Sequence, residues 1–411
     1  MGRKTLQITE LYIYPIKSLR PVLLDRAVLR REGLQYDRRF MLLKADAEAG
    51  DGNGGGGDGD GDGDGGYKNM QVYHFPECAL FHQVLDGDHV VVTYRIPEKP
   101  LVVPPPPEQF TALRVPLHPS TMGLETVDVK LFGSAATTYR MGDPYDAWFS
   151  ACLGYRAILV YIGNNRRSVL AHAPQQQQQQ RTTPQSWLSH LTSYVPYYGQ
   201  KEEKAASSGL VFNEAAPFLV TSKASLRDVS ARLPEGQDMD MIKFRPNIVV
   251  DEVWEEDSSS SSGPEDSSSS SSEEDSSANI SSTKLTAWDE DFWAELQIGS
   301  SSHRLALTAN CARCVSINID YAAGRSASGE LGSVLKKLMR DRRVDAGNKW
   351  SPIFGRYAFL LPSSSENSSN GGGGGDKKDD GIGELEADVA VGDEVKVTRR
   401  ISERDTWAWP K

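Results

Sequence analysis

Two cysteines at C-x-x-C spacing are the residues of this chain best suited to chemistry. Cys311 and Cys314 lie within residues 308–318, with Arg313 between them. A thiolate is both a metal ligand and a nucleophile, and a neighbouring guanidinium favours the thiolate over the thiol. The spacing alone leaves four uses open: half of a zinc site, a redox-active dithiol, one metal ligand with a bystander, or a buried pair of structural thiols.

The surrounding sequence gives little support to zinc or to a redox dithiol. A structural zinc ion needs four Cys or His ligands, whereas Cys78 and Cys152 are isolated far upstream and His303 alone completes no set. A thioredoxin-like dithiol opens a helix, whose dipole lowers the pKa of the first thiol. Residues 305–308 and 315–320 instead have strand-like patterns on both sides of the motif. The rest of the chain must therefore decide between a structural pair and a single metal ligand.

The elements that position this motif are expected to be mostly short strands. Residues 6–14 alternate, which predicts one strand face with Ile8 and Tyr12 and the other with Leu11 and Ile13. Many short strands with few helices indicate an α+β, strand-rich fold with a barrel-like sheet. Further strands are predicted at 38–44, 89–94, 156–163, 244–250, 358–361 and 394–398, and helices at 143–154, 222–233 and 331–338.

Four low-complexity tracts divide the 411 residues. Chains of this composition cannot bury enough apolar surface to offset the entropy of ordering, so we expect disorder there. The predicted organisation is an N-terminal domain at 1–165 with a disordered insertion at 48–67, a Gln-rich linker at 166–207, and a C-terminal domain at 208–411 with disordered insertions at 255–283 and 363–381.

The net charge of −11 comes from two of these tracts. Residues 50–66 and 255–277 together hold thirteen acidic residues and no basic one, so the remaining sequence is close to neutral. Nothing in that balance indicates a nucleic-acid partner. No apolar run approaches the ~20 residues of a transmembrane helix, and the N-terminus has no signal-peptide pattern. We therefore expect an intracellular, soluble protein, cytoplasmic rather than mitochondrial.

Seven segments occur in an order that resembles a known family. They are LYIYPIKSLRPV, GLQYDRRFMLL, KFRPNIVVDE, WDEDFWAELQIG, CARCVSINID, SPIFGRYAFLL and VGDEV. This order is similar to that of MOSC-domain proteins with an N-terminal MOSC β-barrel domain, in particular the amidoxime-reducing component family. The resemblance covers nearly all of the sequence outside the low-complexity tracts.

The resemblance implies a molybdenum cofactor, molybdopterin with bound molybdenum, and a set of residues that hold it. The second cysteine of the motif ligates molybdenum in the family, which corresponds to Cys314 here and makes it both metal ligand and catalytic residue. A soft thiolate suits the soft dithiolene sulfurs of the cofactor. Cys311 becomes a neighbour without a direct role. By the same resemblance, the cofactor-binding residues are Lys17, Ser18, Arg39, Arg245 and Asn247, with Arg313 beside the metal ligand.

The implied function is a molybdenum-dependent oxidoreductase that reduces small N-hydroxylated compounds such as amidoximes and hydroxylamines. Its electrons would come from a b-type cytochrome and its flavin reductase. The alternative is a cofactor carrier or maturation protein, because a MOSC domain also forms the C-terminal part of molybdenum-cofactor sulfurases. The pyridoxal-phosphate domain of those sulfurases has no counterpart here, so pyridoxal phosphate is a family association only.

Overall fold

A computed structural model describes residues 3–45, 66–174, 209–255, 285–299, 303–362 and 386–409. The stretches predicted to be disordered lie almost wholly outside these residues, so that prediction remains untested. Three exceptions are described. Tyr67, assigned to the first insertion, begins a strand, and Glu255, assigned to the second, ends one. Residues 166–174, assigned to the linker, contact the C-terminal part of the chain.

The described residues form twenty-one strands and three α-helices. The expected strand-rich α+β class is confirmed. The strands are β1 (Arg3–Ile13), β2 (Val22–Leu24), β3 (Arg26–Arg30), β4 (Gly33–Leu34), β5 (Phe40–Ala45), β6 (Tyr67–Asn69), β7 (Phe81–Asp86), β8 (His89–Tyr94), β9 (Leu113–Pro116), β10 (Thr126–Leu131), β11 (Ser134–Arg140), β12 (Ala157–Tyr161), β13 (Phe218–Ser222), β14 (Ile248–Glu255), β15 (Trp293–Ile298), β16 (Arg304–Ala312), β17 (Ile319–Asp320), β18 (Arg325–Ser326), β19 (Ile353–Leu361), β20 (Ala387–Ala390) and β21 (Val395–Arg400).

The largest sheet has eight strands in the order β2-β1-β14-β13-β19-β16-β15-β21. It curls until the turn before β21 reaches β1, where Gly392 donates to the carbonyl of Ile8 at 2.8 Å and Ile8 donates to the carbonyl of Asp393 at 2.9 Å. These bonds nearly close a barrel. The barrel is filled by apolar side chains from both halves of the chain, such as Ile13, Val250 and Leu307.

Strand β1 contains a β-bulge that the sequence pattern did not predict. Its pairing with β14 shifts register between Ile8 and Glu10. A bulge adds one residue to a strand and so reverses the alternation beyond it. Ile8 therefore packs in one cluster with Leu11 and Ile13, not with Tyr12 as expected.

Some strands of the predicted N-terminal domain pair with strands of the C-terminal half. Strands β1 and β2 belong to the barrel of the C-terminal half, and β3 pairs with β20. Apart from β4, which pairs with β3, the remaining N-terminal strands form a five-stranded sheet (β10-β11-β12-β5-β6) and a three-stranded sheet (β7-β8-β9). The two halves of the sequence are thus joined by hydrogen-bonded strands.

The helices are short, and their ends follow familiar signals. Helix α1 (Tyr145–Leu153) ends at Gly154, whose φ of 77° is the left-handed conformation that glycine adopts without strain. Helix α2 (Lys223–Ser230) begins after Ser222, whose hydroxyl accepts a hydrogen bond from the backbone N–H of Ser225. Helix α3 (Val334–Leu338) is shorter than predicted, because residues 331–333 form a 3₁₀ turn.

Candidate functional site

A cavity lies where several chain segments leave or enter the barrel strands. It encloses about 750 Å³, open solvent at its mouth included. The segments come from far apart in sequence: residues 17–18 after β1, residue 38 before β5, residues 213–216 before β13, residues 243–247 before β14 and residues 312–316 after β16. The cavity is therefore built by both halves of the chain.

Three of its lining residues have a left-handed backbone. Ser18, Arg38 and Arg245 have φ angles of 73°, 52° and 54°. Non-glycine residues pay a conformational cost there, and such residues concentrate at functional sites. In this backbone conformation, the side chains of Arg38 and Arg245 reach the same cavity.

Lys17 and Ser18 both line the cavity, as the resemblance implied. The backbone N–H of Lys17 donates to the carbonyl of Phe40 at 2.8 Å, which holds this loop against the start of β5. The Lys17 ammonium donates to the carbonyl of Phe212 at 2.9 Å. Burial lowers the pKa of Lys17 to about 7, while Glu214 raises it and Arg38 lowers it further. Lys17 is a buried amine whose charge is sensitive to any anion nearby.

The structure does not bring Arg39 to the cavity; Arg38 lines it instead. The Arg39 guanidinium turns toward the carbonyl of Gly163 and the hydroxyl of Tyr161. Arg38 is inside, pairing with buried Asp37 and donating to the carbonyl of Arg245 at 3.1 Å. The reason is the positive φ of Arg38, because a strand cannot continue through a residue in that conformation. The side chains of the two arginines therefore do not follow the alternation of a strand.

Arg245 and Asn247 both line the cavity, but they differ in whether their side chains keep a hydrogen-bond donor free for a ligand. Asn247 donates to the carbonyl of Tyr12 at 3.2 Å and to Asp37 at 3.0 Å, and its oxygen accepts from the N–H of Leu219 at 3.2 Å. Its amide is thus engaged in holding strands together. Arg245 donates from Nη1 to the carbonyl of Leu19 at 3.0 Å, but its buried Nη2 has no hydrogen-bond partner among the described residues.

The two cysteines have opposite environments. Cys314 is exposed, lines the cavity and lies 3.2 Å (Sγ to Oγ) from Ser316. Cys311 lies within β16 and is fully buried. Burial raises the pKa of the Cys311 thiol to about 12, with Arg313 acting in the opposite direction. Only Cys314 is placed to meet a ligand in the cavity.

Arg313 lines the cavity while its guanidinium is held by backbone carbonyls. Nη1 donates to the carbonyl of Phe244 at 2.8 Å, and Nε and Nη2 donate to that of Phe354 at 3.0 and 2.8 Å. Arg313 thus ties the segment that carries Cys314 to the segment that carries Arg245.

Glu214 and Tyr357 are among the lining residues to which sequence reasoning assigned no role. The Tyr357 hydroxyl donates to Glu214 Oε2 at 2.8 Å. Burial raises the pKa of Tyr357 well above its usual range, with Cys311 and Glu214 acting in the same direction. The loop that carries Glu214 is fixed by buried Arg167, which donates to the carbonyls of Val211 and Asn213 at 2.8 and 2.5 Å. No signal in the single sequence marked these positions.

The residues fit an anionic cofactor that brings its own metal ligands. The described lining residues include five basic side chains, Lys17, Arg38, Lys243, Arg245 and Arg313, and one acidic one, Glu214. The unpartnered Nη2 of Arg245 is a donor that a phosphate or a pterin oxygen would satisfy. Among the described residues no three His, Cys, Asp or Glu side chains come together around a metal site. A metal at Cys314 would thus take its other ligands from a bound group.

Both parts of the chain match known protein families. Residues 5–156 match the MOSC N-terminal beta barrel domain, and residues 208–267 and 270–396 match the MOSC domain. The mitochondrial amidoxime-reducing component 1 of Homo sapiens is 26% identical over 155 residues, which is 37% of this chain and 34% of the human protein. That of Mus musculus is 27% identical over 177 residues, 42% of each chain. The chain thus spans less than half the length of either relative.

In the described part of the chain, no helix has the length and apolarity required to cross a membrane. The two domain matches together cover most of the sequence, and the cavity lies between segments of both. The chain belongs to the MOSC-domain proteins that carry an N-terminal MOSC β-barrel domain.

Proposed function

We propose that this protein binds the molybdenum cofactor and uses it to reduce small N-hydroxylated compounds. The observation that carries the proposal is the exposed thiol of Cys314 at the wall of a basic cavity that also holds a buried, unpartnered arginine donor. The name of the two relatives specifies amidoxime reduction. MOSC domains are associated with molybdenum-cofactor binding, which is consistent with the match over residues 208–396.

The cavity residues have distinct parts in holding the cofactor. Cys314 supplies a thiolate to molybdenum, and Lys17, Arg38 and Arg245 supply charge and donors to its phosphate and pterin edge. Ser18 adds a hydroxyl beside Lys17. Asn247 and Arg313 support these residues from behind, since their polar groups already hold backbone segments together.

The bound cofactor supplies two-electron chemistry at molybdenum. For an amidoxime the overall change is R–C(NH₂)=N–OH + 2 e⁻ + 2 H⁺ → R–C(NH₂)=NH + H₂O, in which the N–O bond breaks and one N–H and one O–H bond form. The protein orients the cofactor, admits the substrate and keeps the anionic groups of the cofactor compensated. A separate protein must deliver the electrons, and a b-type cytochrome with its flavin reductase is the proposed donor. A cytoplasmic location also remains a prediction.

The test is turnover of benzamidoxime to benzamidine with reduced methyl viologen as the electron source. The proposal expects benzamidine from wild-type protein purified with its cofactor, and a loss of at least a hundredfold for Cys314→Ala. A cofactor carrier is the second candidate, favoured by the exposed position of Cys314, which would allow the cofactor to be handed over. A carrier would hold molybdenum, transfer it to a cofactor-free acceptor enzyme and give no benzamidine.

A further inference from the structure

Exposed cations and one exposed tryptophan lie on a segment that is hydrogen-bonded to the chain on either side of Cys314. We call this surface the basic rim and define it as Lys336, Arg340, Arg343, Lys349 and Trp350, all of them exposed. It is formed by helix α3 and the loop that leads from α3 to β19. None of these five residues lines the cavity or has a part in the site described above.

Two hydrogen bonds, one to a side chain and one within the backbone, attach the segment of the basic rim to the chain around Cys314. The N–H of Leu335, in α3, donates to the side-chain oxygen of Asn318 at 3.0 Å, at the end of the 3₁₀ turn that begins directly after Cys314. The N–H of Arg313 donates to the carbonyl of Pro352 at 2.8 Å, two residues after Trp350. The two ends of the rim segment are therefore both attached to the chain that carries Cys314.

The cations of the basic rim differ from neighbouring charged residues in their ion pairing. Neighbouring ions are paired: Lys337 with Glu330 at 2.6 Å, Arg342 with buried Asp291 at 2.8 Å, and Asp341 with Arg232 at 2.6 Å. By contrast, Lys336, Arg340, Arg343 and Lys349 form no ion pair with any described residue. Four positive charges thus remain on this surface without an ion-pair partner among the described residues, although Arg340 adds to the effect of Lys337 in lowering the pKa of Glu330.

Exposed apolar area lies among these charges. Trp350 is 72% exposed, and Val315, next to Cys314, is 44% exposed. The Lys349 ammonium lies 5.3 Å from the Trp350 ring centroid, so the aromatic and the charged parts of the surface are continuous. Tryptophan and arginine are the residues that most often carry the binding energy of protein interfaces.

We propose that the basic rim is the docking surface for an acidic one-electron carrier protein that reduces the site at Cys314. The inference rests on the proposed function, because that reaction consumes two electrons that the chain cannot supply from its own residues. The carrier would dock twice per turnover and donate one electron each time. Opposite charges would steer the encounter and fix its orientation, while Trp350 and Val315 supply a small apolar contact. Transient electron-transfer complexes have interfaces of this small, charged kind.

The test measures electron delivery and binding separately from the chemistry at the site. The probe is a soluble b-type cytochrome domain with an acidic surface. We expect the triple variant Lys336→Glu, Arg340→Glu, Arg343→Glu to lower the second-order rate of cytochrome oxidation about tenfold or more at low ionic strength. The difference should shrink toward none at about 0.5 M salt, where charges are screened beyond a few ångströms. Benzamidoxime turnover with reduced methyl viologen should stay at the wild-type level.

A matched variant and an independent readout complete the test. Lys99→Glu with Lys130→Glu reverses two exposed lysines of the N-terminal half and should leave cytochrome oxidation unchanged. Binding of the cytochrome, followed by calorimetry, should weaken in the triple variant and in Trp350→Ala, and this holds whether or not the protein reduces amidoximes. If viologen-driven turnover is absent from wild type, the proposed function fails while the binding measurement still decides on docking. Unchanged cytochrome binding and oxidation in both rim variants overturn the proposal, as does a rim that binds phosphatidylserine vesicles but not the cytochrome.

Discussion

The Nη2 group of Arg38 donates a hydrogen bond to the backbone carbonyl of Arg245 at 3.1 Å, across 207 positions of sequence. Both residues have a left-handed backbone, and both guanidinium groups lie against the ring of Tyr14, at 4.5 and 4.2 Å from its centroid. The N-terminal and C-terminal halves thus contribute one arginine each to a single cationic wall. The cavity exists only when the two halves are joined, so we expect neither half to bind the cofactor alone.

Arg38 and Arg39 offer a matched pair of variants. Arg38 lines the cavity, whereas Arg39 bonds to the surface of the five-stranded sheet. Arg38→Lys keeps the charge but loses the planar fork, and we expect the pterin to dissociate at least ten times faster than from wild type. Arg39→Lys should release it at the wild-type rate. Pterin fluorescence after gel filtration measures both, and equal release from the two variants would return the role to Arg39.

Lys17 predicts a pH dependence of apoprotein stability. The Lys17 pKa falls from 10.5 to about 7 because the folded protein buries the amine. Between these two values the unfolded chain binds more protons than the folded one, so the contribution of Lys17 to the free energy of unfolding rises with pH from about 7 to about 10.5. Below pH 7 the burial cost is present in full. Lys17→Met should therefore stabilise the apoprotein at pH 6 and lose that advantage toward pH 10, as urea denaturation at both pH values would show. A pH-independent difference would contradict the burial argument.

Glu214 should influence how retention of the cofactor depends on pH. An anion beside Lys17 raises its pKa, so retention of the cofactor should weaken as pH rises above about 7. Glu214 acts in the same direction as that anion. Glu214→Gln should therefore move the midpoint of a pterin-release profile to lower pH. Glu32→Gln, which removes a carboxylate outside the cavity, is the control and should leave the midpoint in place. Identical midpoints in all three proteins would show that Glu214 does not act on Lys17.

Replacement of Arg313 should lower the stability of the protein whether or not the cofactor is bound. Three hydrogen bonds from its guanidinium hold the carbonyls of Phe244 and Phe354. Arg313→Ala leaves these buried carbonyls without that donor, and we expect a loss of about 2–4 kcal/mol in the free energy of unfolding. Urea denaturation of cofactor-free protein measures it, with exposed Arg325→Ala as the control. A loss under about 0.5 kcal/mol would mean that Arg313 acts on the cofactor and not on the fold.

The sequence predicted the positions of the strands and helices better than it predicted which side chains lie on each face. Residues 6–14 were rightly assigned to a strand, but the bulge between Ile8 and Glu10 reversed half of its faces, because one inserted residue is enough to invert a period of two. The resemblance pointed to Arg39, whereas Arg38 lines the cavity. A positive φ at a bulky residue is imposed by tertiary contacts, here with Tyr14 and Asp37, and leaves no mark in the local pattern.

The candidate site was accessible from sequence where short segments carry it, and not where long-range contacts do. The resemblance located residues 17–18, 245–247 and 311–314, and the structure places members of all three segments around one cavity. Glu214 and Arg167 were beyond reach because their places depend on contacts between segments on either side of the Gln-rich stretch. Arg167 had been assigned to the linker, yet it is 1% exposed and fixes the loop that carries Glu214.

The most direct test of the central claim is the molybdenum content of purified wild type, Cys314→Ala and Cys311→Ala, expressed in a host that makes molybdopterin. Because Cys314 is exposed in the cavity and Cys311 is buried in β16, the account predicts about one molybdenum per wild-type chain. It predicts the same content in Cys311→Ala, and a content that falls or becomes labile in Cys314→Ala. Zinc in place of molybdenum, or no metal in three equally folded proteins, would contradict the cofactor assignment and leave both cysteines with a structural role.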